Sequence, residues 1–268
     1  MAVLSLCAAH SSHAYELHAT PDGAPLRWAP SPNPIPYSID RRAVEGFADG
    51  SDVEAIQSAF RTWEQVATAD VQFRFAGLAQ GGAIDPGASV VIWMKDDWPY
   101  DPGYVAKTRL YYRPDEGLIV RAEIDLNGRD YRWSADERNG TLDVRNAAMH
   151  EVGHFLGLGD VRSAGQTMFE YIGLDEREKG VLSDDEIEGL RAAYPRLSPD
   201  GEVLVQTVSL DYGDGALRPA GYGPPLPGGE TFAAAPPRSS APPAPAASSP
   251  SSSSPAKARS AGSAHRLR

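Results

Sequence analysis

The sequence is poor in cysteine, in basic charge and in long apolar runs. Its 268 residues include one cysteine, Cys7, so an internal disulfide bond is excluded. The chain has 25 lysines and arginines but 36 aspartates and glutamates, which gives a formal net charge of -11. Because an acidic chain repels nucleic acid, we expect no nucleic-acid partner. No stretch approaches the roughly 18 consecutive apolar residues of a membrane-spanning helix, so we also expect no membrane span.

The two ends of the chain differ in composition from its middle. Residues 1–14 form a short apolar run that ends in small residues, which is typical of a signal peptide cut after Ala14. Residues 223–268 are rich in proline, serine and alanine and bury too little apolar surface to offset their ordering entropy, so we expect a disordered tail. Between them we place one domain, 15–197, and a short extension, 198–222. We expect a secreted monomer, with retention at the cell surface or in the periplasm as an alternative.

Hydrophobic periodicity predicts a mixed α/β (α+β) domain. The predicted strands are 35–39, 71–76, 89–95, 103–112 and 117–127, with 103–112 at a sheet edge. A first helix is expected to start at a capping box formed by Ser51 and Glu54. A second, amphipathic helix runs from about residue 142 to 156. The last is expected to start at a second capping box, formed by Ser183 and Glu186.

The second helix contains the stretch HEVGH, which points to metal chemistry. His150 and His154 are four residues apart, so a helix presents both imidazoles on one face, an arrangement suited to zinc. Glu151 lies beside that pair, where it can act as a general base on a zinc-bound water without binding the metal itself. The H-E-x-x-H pattern arises by chance in under roughly one chain in a hundred of this length. We therefore predict a zinc site rather than an ordinary core helix.

A third protein ligand is needed, and two routes to it are open. The other histidines lie near the ends of the chain, so a carboxylate is expected; they are His10, His13, His18 and His265. In one route, Glu170 or Glu176 completes the site from a later segment. In the other, Gly157 ends the helix in the left-handed conformation and turns the chain back, which brings Asp160 to the metal. The glycine at position 157 favours the second route.

This stretch resembles the metzincin pattern, H-E-x-x-H-x-x-G-x-x-H followed by a Met-turn. Here it reads HEVGHFLGLGD, with Asp160 at the third ligand position, and Met168 follows in GQTMFEY at the interval usual in matrixins. The segments RWAPSPNPIPYSID, AIQSAFRTWEQVATADVQF and LSDDEIEGLRAAYP are also similar to matrixin segments, so the resemblance covers residues 25–196. An aspartate as third ligand is similar to that of the snapalysin-like bacterial metallopeptidases.

The resemblance implies a five-stranded mixed sheet with helices packed on it and one catalytic zinc ion held by His150, His154 and Asp160. It further implies that Met168 forms an apolar floor beneath the ligands. A peptide substrate would lie extended and pair with the edge strand. Phe169 and Tyr171, which follow the Met-turn, are candidates for substrate contacts. Together these features imply a secreted zinc endopeptidase.

Departures from the family pattern lead to further expectations. Aspartate partly neutralises the metal and should make it a weaker Lewis acid. We expect no cysteine-switch propeptide. The segments VAKTR and RAEIDLN lack the histidines of a structural zinc site, so we expect none, while a calcium ion at Asp125 stays open. The alternative function is a metzincin-like binding protein without activity; Asp160 motivates it, and the intact Glu151 argues against it.

Overall fold

The computed structural model describes the central domain and a short segment near the C-terminus. The described residues are 15–30, 33–40, 46–79, 87–136, 140–176, 178–198, 200–201, 203 and 264–267. Contacts divide the chain into two units, Met1–Gln206 with Ala261–Arg268 and Thr207–Ser260, and every described residue belongs to the first. The predicted signal peptide, and most of the predicted extension and tail, lie outside the described residues. Within the described ranges, no helix is long and apolar enough to cross a bilayer.

The five predicted strands and three predicted helices occur in the predicted order, and the described residues form five further short strands and a 3-10 helix that the sequence does not predict. The strands are β1 (Arg27–Trp28), β2 (Ile35–Asp40), β3 (Phe73–Ala79), β4 (Ser89–Met94), β5 (Tyr104–Arg113), β6 (Leu118–Asn127), β7 (Trp133–Ser134), β8 (Leu142–Asp143), β9 (Tyr171–Gly173) and β10 (Ala264–Leu267). The helices are α1 (Ser51–Glu64), α2 (Val144–Phe155) and α3 (Asp184–Ala193), with a 3-10 helix at Glu178–Gly180. Each predicted strand overlaps one of β2 to β6, and the mixed α/β fold class is confirmed.

Strands β2 to β6 form the body of one mixed sheet, in the order β3-β2-β4-β6-β5. β2, β3, β4 and β6 run parallel, and β5 is antiparallel to β6. β5 is the last of the five predicted strands on its side, but β10 pairs with it there, so the sheet has eight strands rather than the predicted five and β5 is not its edge. Beyond β5 the sheet continues with two short strands, first β10 and then β9, while β1 pairs with β6. β7 and β8 form a separate pair.

Helices α1 and α2 pack against each other and against the sheet. The apolar side chains on one face of α1, Ile56, Phe60 and Trp63, are fully buried. The ring of Phe60 stacks on that of Tyr37 in β2, with the centroids 3.8 Å apart. Because burying a side chain of this size contributes roughly 1.5–3 kcal/mol, this face is sufficient to fix α1 on the sheet.

Helix α1 starts differently from the prediction. Its N-cap is Gly50, which adopts the left-handed conformation at φ 81°, and Ser51 is already the first helical residue. The Ser51 hydroxyl donates a hydrogen bond of 2.8 Å to Asp49, so it serves the turn that precedes the helix. The predicted capping box of Ser51 and Glu54 is therefore wrong.

Helix α3 starts as predicted. The Ser183 hydroxyl accepts a hydrogen bond of 3.3 Å from the Glu186 main chain, and the Glu186 carboxylate accepts one of 2.7 Å from the Ser183 main chain. These reciprocal bonds satisfy two main-chain donors that a helix start otherwise leaves unpaired. Leu190 and Tyr194 are buried, as expected for the inner face of this helix.

Candidate metal centre

Helix α2 carries both histidines of the HEVGH stretch and is enclosed by the domain. All but one of its 12 residues are buried, so it is a core helix rather than the amphipathic helix that the sequence predicts. The carbonyls at its C-terminal end accept hydrogen bonds from buried side chains. The Trp28 indole donates one of 2.8 Å to the Phe155 carbonyl, and the Tyr194 hydroxyl donates one of 2.7 Å to the Leu156 carbonyl. These contacts fix the turn of helix that carries His154.

The helix ends at Gly157 in the left-handed turn that the sequence predicts, with φ at 91°. The Leu158 amide donates to the Gly153 carbonyl at 3.0 Å and the Gly157 amide to the His154 carbonyl at 2.8 Å, the two bonds of a Schellman motif. A Cβ atom at position 157 would lie 2.2 Å from the Leu26 carbonyl oxygen. Glycine is therefore required here both by its conformation and by the close approach of another segment.

The turn brings Asp160 to the two histidines. One ligand atom from each of His150, His154 and Asp160 lies within 4.8 Å of the others. Asp160 Oδ1 is 3.3 Å from His150 Nε2 and 3.4 Å from His154 Nε2. Among the residues that the structure describes, this is the only group of three such side chains close enough to share a metal ion. Neither Glu170 nor Glu176 belongs to it, and the Glu176 carboxylate accepts a hydrogen bond of 2.5 Å from the Gly173 amide instead.

A hydrogen bond at Nδ1 orients the imidazole ring of both His150 and His154. His150 Nδ1 lies 2.8 Å from the Thr167 carbonyl and His154 Nδ1 lies 2.9 Å from the Leu158 carbonyl, so each Nδ1 carries the proton and donates it. The lone pair of each Nε2 then faces Asp160. Within the described part of the chain, both Nε2 atoms are buried without a hydrogen-bond partner. Buried acceptors of this kind fit a cation.

The charges of the cluster suit a divalent metal. Burial lowers the pKa of His150 to about 3, so this imidazole is neutral. Burial acts in the same direction on His154, but the carboxylates of Asp160 and Glu151 outweigh it and raise the pKa of His154. Burial alone would raise the pKa of Asp160, yet its contacts with the two histidines hold that pKa well below the usual range. The third group is therefore a carboxylate.

Glu151 is buried beside the cluster, and a threonine of strand β5 orients it. Thr108 of β5 donates a hydrogen bond of 2.6 Å to Glu151 Oε2. The other oxygen, Oε1, is buried and has no hydrogen-bond partner among the described residues. Burial raises the pKa of Glu151 to about 7, against the opposing effect of His154. One oxygen is thus held, and the other is available at a pKa near neutrality.

Met168 lies buried against helix α2. Its sulfur occupies the space beside Gly153, where a Cβ atom would lie only 2.1 Å from it, so only glycine admits this packing. The Met168 amide donates 2.6 Å to the Glu186 carboxylate, which also completes the capping box of α3. One buried carboxylate therefore joins the start of α3 to the Met168 turn.

Sequence reasoning missed three side chains around the centre: Thr108, Lys179 and His18. Lys179 is buried, and its ammonium donates 2.6 Å to the Phe169 carbonyl and 3.3 Å to the Gln166 carbonyl, on either side of Met168. Burial lowers the pKa of Lys179 to about 8. No local pattern marks a lysine as buried, because long-range packing alone determines it.

The sequence predicts no role for His18, because it lies close to the N-terminus. Its main chain pairs with the turn after α2, where the His18 amide donates 2.8 Å to the Gly157 carbonyl. The His18 ring lies against His154, with His18 Nε2 3.3 Å from His154 Nδ1, on the side of His154 opposite to Nε2. His18 is therefore a neighbour of the cluster and not one of its members.

The remaining predicted residues have other surroundings. Phe169 and Tyr171 are half-buried, and their ring centroids lie 5.6 Å apart. The sequence leaves open a calcium ion at Asp125. In the structure an arginine contacts this carboxylate: the Arg109 guanidinium is 3.0 Å from Asp125 and also contacts Glu123.

A family comparison covers the whole of this arrangement. The family model for matrixins matches residues 27–195, from the start of β1 to just past α3, and so includes the complete cluster. The chain belongs to the matrixin family. Matrixins are peptidase family M10, so membership points to a zinc-dependent peptidase. The resemblance found in the sequence is confirmed at the level of the family.

Three curated relatives share the matrixin region. Interstitial collagenase of Oryctolagus cuniculus is 29% identical over 160 residues, which cover 59% of this chain and 31% of the relative. Matrilysin of Homo sapiens is 30% identical over 132 residues, 49% of this chain and 42% of the relative. Metalloendoproteinase 2-MMP of Arabidopsis thaliana is 25% identical over 162 residues, 60% of this chain and 38% of the relative. The chain thus spans less than half the length of each of these relatives.

Proposed function

We propose that this matrixin is a secreted zinc endopeptidase. The observation that carries the proposal is the convergence of His150, His154 and Asp160 on one point, in electrostatic contact with the buried carboxyl of Glu151. Two buried imidazoles whose Nε2 lone pairs face Asp160, together with the Asp160 carboxylate, are a donor set that zinc accepts. We infer that these three residues hold one zinc ion.

The roles of the other groups follow from their positions. When bound, zinc supplies a Lewis acid that polarises a peptide carbonyl and makes water a stronger nucleophile. Glu151 Oε1 accepts a proton from the attacking water and delivers it to the leaving amine. Thr108 holds the second oxygen of Glu151 at 2.6 Å, so the proton-accepting oxygen stays directed at the reacting atoms. The carbonyls at Thr167 and Leu158 keep both imidazoles in the tautomer that binds metal.

Asp160 in place of a third histidine should lower the Lewis acidity of the zinc ion rather than abolish zinc binding. A carboxylate brings a negative charge, which reduces the effective charge of the zinc and hence its power to polarise a carbonyl. In this respect we infer a centre of the snapalysin-like, bacterial type. A lower rate per zinc ion than in matrixins with three histidines is the expected consequence.

The substrate is inferred to be a protein or peptide that lies extended beside β5. Relatives of this chain are named a collagenase, a matrilysin and a metalloendoproteinase, and all of those names describe proteolysis. An extended peptide can pair its main chain with an edge strand and so bind without regard to most of its side chains. Phe169 and Tyr171, which follow Met168 in the chain, are proposed to contact it.

Substituting Glu151→Gln tests the proposed base. Glutamine keeps the size of the side chain and can still accept the hydrogen bond from Thr108. Its amide cannot act as a general base near neutral pH. We expect unchanged zinc content and a loss of casein cleavage of about 10²–10⁴-fold. The matched control is Glu116→Gln, an exposed glutamate that pairs with Arg113, which should leave cleavage unchanged. Normal cleavage by Glu151→Gln would contradict the assigned role.

The alternative is a matrixin-like protein that binds zinc and peptides without cleaving them. Its motive is Asp160, but a binding site has no need of a buried carboxyl with a pKa of about 7. A casein zymogram with and without a chelator separates the two functions. Clearing that the chelator abolishes supports the endopeptidase, and a zinc-loaded chain that never clears casein supports the binding protein.

A further inference from the structure

A short strand from the C-terminal region fills the space between β5 and the segment after the Met168 turn. β10 (Ala264–Leu267) pairs in parallel with β5, with Arg266 opposite Tyr104 and Leu267 opposite Ala106. On its other side β10 pairs antiparallel with β9, with His265 opposite Ile172. Both of its main-chain edges are therefore used, and β9 joins the sheet through β10.

This space borders the proposed catalytic centre. β5 supplies Thr108, which orients Glu151, and β9 begins three residues after Met168. The backbone of β10 also comes close to helix α2, which carries both histidines. An extended peptide that pairs with β5 at Tyr104–Ala106 would need the same main-chain donors and acceptors that β10 uses. The two cannot bind there together.

The composition of the C-terminal region suits such an occupant. After Glu230 the sequence contains no acidic residue and five lysines and arginines, whereas the whole chain carries a net charge of -11. A basic tail is thus attached to an acidic domain, and their attraction favours contact between them. About 60 residues rich in proline, serine and alanine connect the last described residue of the domain, Val203, to β10, enough to reach the cleft.

We propose that the cleft between β5 and β9 is a docking site for residues 264–267, and that the tail competes there with substrate. The proposal rests on the endopeptidase function in one respect, that peptides are bound beside β5. For comparison, a random coil of about 60 residues has a root-mean-square span of roughly 40–45 Å, which corresponds to an effective concentration on the order of 1 mM. A docking constant of about 0.1–0.5 mM would then raise the apparent KM for substrate by roughly 3–10-fold.

Proline substitutions in the full-length chain test the docking. In a strand, alternate residues direct their amides to the same edge, so the double substitution His265→Pro and Leu267→Pro removes all amide donors on one side of β10. The matched control places two prolines at the same spacing in the connecting segment, Ser251→Pro with Ser253→Pro. The assay measures kcat and KM on a fluorogenic peptide with zinc-loaded protein. A synthetic peptide of residues 261–268, AGSAHRLR, and a scrambled version are added in turn.

We expect the strand variant to have a KM roughly 3–10-fold lower with unchanged kcat, and the control variant to match the parent chain. Added AGSAHRLR should raise the KM of the strand variant competitively, while the scrambled peptide should not. Equal KM values for all three chains, together with no effect of the peptide, would overturn the proposal.

A second measurement keeps docking separate from catalysis. Amide hydrogen exchange in β5 near Tyr104–Ala106 should be faster in the strand variant than in the parent and control chains, whether or not any of them is active. Faster exchange in a chain that never cleaves peptide would refute the endopeptidase function and leave the docking site standing. Unchanged exchange would refute the docking site even if the enzyme is active.

Discussion

Replacing Asp160 by alanine tests the composition of the metal centre. In the folded chain its Oδ1 is 3.3 Å from His150 Nε2 and 3.4 Å from His154 Nε2, so the substitution removes one of three converging donors together with their only negative charge. Changes to groups that merely support metal ligands lower metal affinity by about 10–100-fold. The loss of a ligand itself should therefore raise the Kd for zinc by at least about 100-fold.

That loss of affinity has a calculable effect on thermal stability. Zinc at about 100 times its Kd stabilises the folded state by about 2.7 kcal/mol, whereas zinc at its Kd contributes only about 0.4 kcal/mol. In a domain of this size, 1 kcal/mol corresponds to about 2–4 °C in Tm. At one zinc concentration we expect zinc to raise the Tm of the parent chain by about 5–11 °C and that of Asp160→Ala by about 1–2 °C.

The assay is differential scanning fluorimetry of chelator-stripped protein, with and without buffered zinc. Only the zinc-dependent part of Tm is compared, because removing Asp160 also changes the stability of the metal-free fold. Glu170→Ala and Glu176→Ala are measured in parallel, since either glutamate is the ligand in the competing arrangement. A full zinc shift in Asp160→Ala would refute the proposed third ligand. If the shift disappears from one of the glutamate variants instead, that glutamate completes the site.

Two further changes probe residues behind the centre. Thr108→Val keeps the shape of the side chain but removes the hydrogen bond to Glu151, so kcat should fall about 10–100-fold at unchanged zinc content, and Thr108→Ser should restore it; an unchanged kcat would contradict the orienting role. Because burial lowers the pKa of Lys179 from 10.5 to about 8, the unfolded chain holds one more proton between those values. The free energy of unfolding should therefore rise with pH across that window, by at most about 3 kcal/mol, in urea titrations. Lys179→Met should lack this rise, and identical pH profiles for the two chains would contradict the assignment.

Local patterns predict much of this fold because they determine much of it. The alternation in β2 and the continuous apolar run in β4 correspond to strands that bury one face or both. The capping box at Ser183 and Glu186 forms with both of its reciprocal hydrogen bonds. At Ser51 the same pattern does not give a capping box. The Ser51 hydroxyl donates its hydrogen bond to Asp49, and the N-cap position is occupied by Gly50 in the left-handed conformation. A capping box is thus read correctly only when its competitors are also considered.

Local patterns also predict some residues of the candidate site and miss others. Helical spacing alone predicts that His150 and His154 share a face, and a glycine at a helix end predicts the turn to Asp160. Thr108 and Lys179 were missed because the sheet and the 3-10 helix bring them to the cluster from distant parts of the chain. Neither residue type has a spacing rule for such a role. A search for polar residues on the predicted edge strand would have found Thr108, since that strand borders the cleft.

Aspartate is a shorter side chain than histidine, so its use as a ligand requires the main chain to come closer to the metal. Main-chain hydrogen bonds on both sides of Asp160 hold the turn that brings it to the two histidines. The Gly159 amide donates 2.8 Å to the Glu16 carbonyl, and the Val161 amide donates 2.9 Å to the Met168 carbonyl. The segment at residues 16–18, which precedes the first strand and carries no metal ligand, therefore helps to set the position of Asp160. The proposed use of aspartate as the third ligand is best understood together with that segment, because hydrogen bonds with Glu16 and His18 help to fix the turn that leads to Asp160.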